Sequence, residues 1–107
     1  MATLEELKAD AAAFQSWTDH MLEAMGKSFV AMFIPASAWM NAATAVITAM
    51  EKSADQSTSG RQAAGAKALR AALDSTEQGG QVNDKRCADG AAAILIADAA
   101  WKVAHKV

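Results

Sequence analysis

The chain has 107 residues, a formal net charge of -2 and a single cysteine; 52% of its residues are hydrophobic and 21% charged. That length predicts one domain, and the balance of apolar and charged residues predicts a globule rather than a disordered segment. Lysines and arginines are scattered among acids and form no basic stripe, which argues against nucleic acid as a main partner.

Alanine makes up about a quarter of the residues, with one proline and no tyrosine, a composition that favours helix over sheet. Cys87 has no partner for an internal disulfide. The opening MATLEELKAD lacks the basic and then apolar pattern of a secretory signal. Together these predict a cytoplasmic protein.

The first helix is expected over 4–25. Thr3 and Glu6 have the spacing of a capping box, in which the hydroxyl takes an orphan amide and the carboxylate reaches back. Leu4, Leu7, Ala11, Phe14, Thr18, Met21 and Met25 then recur at intervals of three and four, with Thr18 the one polar member. Gly26 is expected to stop the helix.

Ser28 to Met50 carries no charge. That is long enough for a membrane span, but Asn41, Ser37, Thr44, Thr48 and Pro35, with weakly apolar alanines between them, argue for a buried central helix instead. Pro35 suits a first helical turn and disrupts an interior, so 29–34 is expected to be a short turn and a second helix to run over 35–52, kinked or started at Pro35. On it, Trp39, Ala43, Val46, Ile47 and Met50 share one face. Ala38, Ala42, Ala45 and Ala49 form a smooth second face.

Ser53 to Ser59 is a polar break, and a third helix is expected over 60–75 with Ala66, Leu69 and Leu73 inward. Gly65 should cost it about 1 kcal/mol relative to alanine, making it the weakest helix. Gly79-Gly80 marks a loop, and Asn83 or Asp84 caps a last helix over 84–105. Its stretch from Ala91 to Ala97 is apolar on every side, with Asp89, Asp98, Lys102 and Lys106 flanking it and Trp101 extending the buried face. The whole predicts an all-α, four-helix bundle-like single domain.

The motifs that carry chemistry are thin. Gly60 to Lys67 approaches a phosphate-binding loop, but Lys67 is displaced by one and Ala68 stands where a hydroxyl is needed. His20 and Glu23 fall on one helix face without the further ligands that a metal site requires, and His105 suits the favourable charge at a helix C-terminus. Cys87, near Lys85 and Arg86 at a helix start, could be activated, yet no general base is placed for it; a buried structural thiol is the expectation. No catalytic residue, metal ligand or cofactor is therefore assigned.

Two segments, Phe29–Met50 and Ala91–Ala97, carry more apolar surface than one small bundle is expected to cover. The function predicted from this surplus is a non-enzymatic helical interaction module, a small regulator, adaptor or inhibitor-type partner. It would act as a homodimer with exchanged or interlocked helices, or bind another protein's helix. Phe29, Phe33, Trp39, Met40, Val46, Ile47 and Met50 are the expected interface or apolar groove. The alternative is an apolar small-molecule binder, or an enzyme built on that binding. Its cavity would be drawn from the same residues and from Trp17, Met21, Met25 and Met32, with His20 or Cys87 as the polar group.

Overall fold

A computed structural model describes residues 3–105, without the side chains of Phe29, Ala31 and Ala36. It contains five α-helices: α1 (Leu4–Lys8), α2 (Ala11–Lys27), α3 (Trp39–Glu51), α4 (Thr58–Asp74) and α5 (Asp84–Ala104). Short 3-10 turns cover Phe29–Phe33, Ala36–Ala38 and Gly79–Gln81. Among the described residues there is no strand, and the helices pack as an all-α bundle with a radius of gyration of 12.9 Å.

Local chemistry sets each helix start. Thr3 accepts from the Glu6 amide at 3.2 Å, as a capping box requires, while its hydroxyl donates to the Glu6 carboxylate at 3.3 Å. The expected single helix over 4–25 is two. The Asp10 carboxylate accepts from the amides of Ala12 and Ala13 at 3.1 Å each, which caps a new helix two residues after α1 ends. Gly26 does not stop this helix, which runs on to Lys27.

The second long helix begins at Trp39 rather than at Pro35. The Ala38 amide donates to the Pro35 carbonyl at 2.8 Å, so the proline opens a 3-10 turn and the α-helix starts four residues later. Ser57 caps α4 through the Gly60 amide at 3.1 Å, and Asn83 caps α5 through the Arg86 amide at 2.9 Å. In the turn between α3 and α4, hydrogen bonds from Ser57 hold the exposed Asp55 carboxyl below the ordinary carboxylate range.

α2, α3, α4 and α5 enclose the core, and α1 clasps it. Leu4 and Leu7 are buried, and the Leu4 amide donates to Glu51 Oε2 at 2.7 Å, so the end of α3 holds the start of α1. Trp17, Met21, Val46, Ile47, Met50, Leu69, Leu73 and Ile94 have almost no exposed surface.

Gly65 has a packing role that its helix propensity hides. A Cβ there would lie 2.3 Å from Met50 Cε, so the missing side chain is what lets α3 approach α4. Gly90 plays the same part between α5 and α4, where a Cβ would lie 2.9 Å from Leu69 Cδ2. In this packing Val30, Ile34, Val46, Ile47 and Met50 are buried by the chain's own helices, while Met32 stays 66% exposed.

Candidate interaction surface

The residues expected to form an interface are divided between core and surface. Val46, Ile47 and Met50 are wholly buried among the helices of this chain. Trp39 and Met40 are half-buried, and the Trp39 indole donates to the Ile34 carbonyl at 2.5 Å. The Phe29 side chain lies outside the described residues. Phe33 is half-buried and lines a groove of about 530 Å³ between the 32–38 segment and the end of α4. The Thr76 hydroxyl closes one side of this groove, 2.7 Å from the Leu73 carbonyl and 3.2 Å from that of Phe33. A second hollow of about 290 Å³ shares Ile34, Ala38 and Ser75 with it and continues over Ala42, Ala45 and Ala72.

The stronger feature lies on α5, whose polarity from Gly90 onward is inverted. The two charged residues of this stretch point inward: Asp98 and Lys102 are 2% and 3% exposed and pair at 3.0 Å. The other Asp98 oxygen accepts from Trp17 Nε1 at 2.8 Å. This makes a buried indole–carboxylate–ammonium chain between α2 and α5, with every member partnered. Alongside it Trp101 Nε1 donates to Ser16 Oγ at 3.2 Å, and His20 Nε2 lies 3.1 Å from the Ala97 carbonyl.

The outward side of the same stretch is apolar throughout. Ala92 and Ala93 are half-buried, and Ala99, Ala100 and Ala104 are exposed. Ile96 and Val103 stand 70% and 77% exposed, although they are among the largest apolar side chains of the helix. At 100° per residue, Ala92, Ile96, Ala99 and Val103 lie within about 60° of one another and form a single stripe. Exposed charge returns only in the first turns of α5, where Lys85 and Asp89 pair at 3.2 Å.

In the sequence Asp98 and Lys102 simply follow the apolar run, with no side of the helix assigned to them. Their phase relative to Ile94 and Trp101 was the available signal, because residues three, four and seven apart share a face. That phase runs against the strong tendency of charge to lie outside.

The remaining candidates form structural clusters. His20 is held by the Ala97 carbonyl, while Glu23 pairs with Lys27 at 3.1 Å, so the two do not converge. Among the described residues no three His, Cys, Asp or Glu side chains are placed to hold a metal ion. Cys87 is buried, and the cation at its sulfur is Arg70 of α4, 3.8 Å away. Burial pushes the thiol above its ordinary value, outweighing the pull of the Arg70 charge in the other direction. Among the described residues, no helix is long and apolar enough to cross a membrane.

Compared with known proteins, the chain matches no protein-family model, no curated protein and no solved structure.

Proposed function

We propose that this protein is a non-enzymatic helical interaction module, a small regulator or adaptor whose docking surface is the outward face of α5. One observation carries the reading: α5 directs its Asp98–Lys102 pair into the core and its Ile96, Val103 and alanines outward. Isolated exposed apolar residues are ordinary, but a contiguous uncharged face over four turns is a mark of an interface. Burying two ionised groups carries a desolvation cost that a solvent-facing helix would avoid by turning them to water. A cytoplasmic setting fits a chain whose one cysteine is a buried free thiol.

The test compares the wild type with Ile96→Glu, a change outside the protomer's core. The wild type should self-associate in sedimentation or, as a monomer, bind an apolar fluorescent dye. The variant should lose whichever of these occurs while keeping its helical circular dichroism. A wild type that shows neither behaviour, or a variant that retains it, overturns the proposal.

A second reading rests on the groove beside Phe33, whose volume falls in the range of small-molecule sites. It makes the protein an apolar-ligand binder. Native mass spectrometry of freshly purified protein would then show a bound small mass, lost on substitution of Phe33 by a charged residue.

A further inference from the structure

We infer that the partner on the outward face of α5 is a second copy of this chain, its α5 packed antiparallel about a two-fold axis level with Ala97 and Asp98. The inference rests on the interaction-module reading and adds the identity and direction of the partner. Its basis is the order of side-chain sizes along the stripe: Ala92, Ile96, Ala99, Val103, which alternates small and large.

An antiparallel two-fold at the midpoint of the stripe sets Ile96 against the partner's Ala99 and Val103 against the partner's Ala92. Each layer then combines one large and one small side chain, which lets two helices approach to the near end of the 8–10 Å spacing without voids. A parallel two-fold sets each residue against its own copy. Large side chains would then meet at Ile96 and Val103 and hold the helices apart, leaving gaps at the alanines.

Electrostatics agrees with the antiparallel choice. The outward positions from Gly90 to Ala104 carry no charge, so no like charges are forced together. The exposed Lys85–Asp89 pair falls beyond the partner's Ala104, at a rim that water reaches. Opposed helix dipoles are also favourable.

Pairing along four turns covers on the order of 1,000 Å² in total, the lower bound for a specific interface. The dimer is therefore expected to form reversibly and to dissociate on dilution.

Disulfide trapping tests direction and partner together. Ala92→Cys and Val103→Cys are made separately in the otherwise wild-type chain, whose Cys87 is buried. Antiparallel pairing places position 92 opposite the partner's position 103. Two copies of position 92 are then about 16 Å apart along the axis, as are two copies of position 103, beyond disulfide reach.

The expected result is a mixed disulfide when the two variants are combined, at least tenfold faster than either variant forms with itself. Adding Ile96→Glu should slow it at least tenfold. Self-disulfides at 92 and 103 would mean parallel pairing and overturn the inference. No disulfide, with the wild type a monomer at high concentration while Ile96→Glu still abolishes dye binding, would overturn self-pairing but leave the interaction-module reading standing. Loss of disulfide, association and dye binding alike would overturn both.

Discussion

Trp17 Nε1 donates to Asp98 Oδ1 at 2.8 Å across the α2–α5 contact, and the same carboxylate holds Lys102 Nζ at 3.0 Å one turn further along α5. The indole belongs to the largest wholly buried side chain of the protein and stacks on Phe14, with ring centres 5.9 Å apart. A buried ion pair of this kind gains little over an apolar pair, because both charges lose their water. Removing one partner is different, since it strands the other.

Asp98→Ala and Lys102→Ala are each expected to cost about 3–5 kcal/mol, a large share of the 5–15 kcal/mol that stabilises a domain of this size. Asp98→Leu with Lys102→Met removes both charges and should be more stable than either alanine variant. Part of the loss remains, because Trp17 Nε1 is left without its acceptor, at about 1–3 kcal/mol. Urea denaturation of the matched single and double Leu and Met variants measures the coupling. Additive effects would show that the pair is not a unit.

The helix boundaries that rest on a capping side chain were legible at Thr3 and Asn83, because the same residue both stops one conformation and starts the next. The break at Asp10 was hidden: Leu4, Leu7 and Phe14 keep helical phase across it, and no glycine or proline interrupts the run. The apolar stretch between Phe29 and Met50 was evident in the sequence, but how much of it one chain buries was not. How much surface a helix pair buries depends on how closely its axes approach, and Gly65 and Gly90 set that distance from other helices. The α5 surface was only half legible. Its apolar run from Ala91 to Ala97 was evident, but its extension to Val103 depends on Asp98 and Lys102 pointing inward, and that depends on Trp17, 81 residues away.

Arg70 ties the α4–α5 connection together. Its guanidinium donates to Asp74 Oδ1 at 3.0 Å from Nε, to the Gly79 carbonyl at 2.6 Å from Nη2 and to the Val82 carbonyl from Nη1. The Asp74 hydrogen bond raises its already high pKa, so it stays charged in these contacts. Arg70→Ala should cost about 2–3 kcal/mol, as expected for hydrogen bonds to a charged group. Arg70→Lys should recover less than half, because an ammonium cannot fork between two carbonyls. Hydrogen exchange should quicken around residues 79–82 in both variants. Full recovery by lysine would show that charge alone matters.

Gly79 and Gly65 should respond unequally to alanine. At Gly79 a Cβ would lie 1.7 Å from the Leu73 carbonyl oxygen, a backbone atom that cannot move without unwinding the end of α4. Gly79→Ala is expected to cost more than about 2 kcal/mol, within the range seen for forced overpacking. At Gly65 the nearest atom is the terminal methyl of Met50, which can change rotamer. A gain of about 1 kcal/mol in helix propensity there offsets part of the repacking. Gly65→Ala should thus cost clearly less than Gly79→Ala, with a residual loss because Val46 Cγ1, 3.2 Å from the added Cβ, must also give. Equal thermal losses in the two variants would contradict the distinction.

Cys87 gives stability a slope at alkaline pH. Burial holds its pKa above the ordinary value of about 8.5, whereas in the unfolded chain water restores that value. Between the two values the unfolded chain has released the thiol proton and the folded chain keeps it. Stability therefore falls as pH rises from the unfolded value through the folded one, and is unaffected below pH 8. Cys87→Ala should flatten this part of the urea-midpoint profile between pH 8 and 10, though it also leaves a small cavity that lowers the whole curve. Aromatic disulfide reagents should react with Cys87 at pH 8 far more slowly in the folded protein than in urea. A native rate close to the unfolded one would mean that Arg70 outweighs burial at the sulfur, leaving the thiolate ready to react.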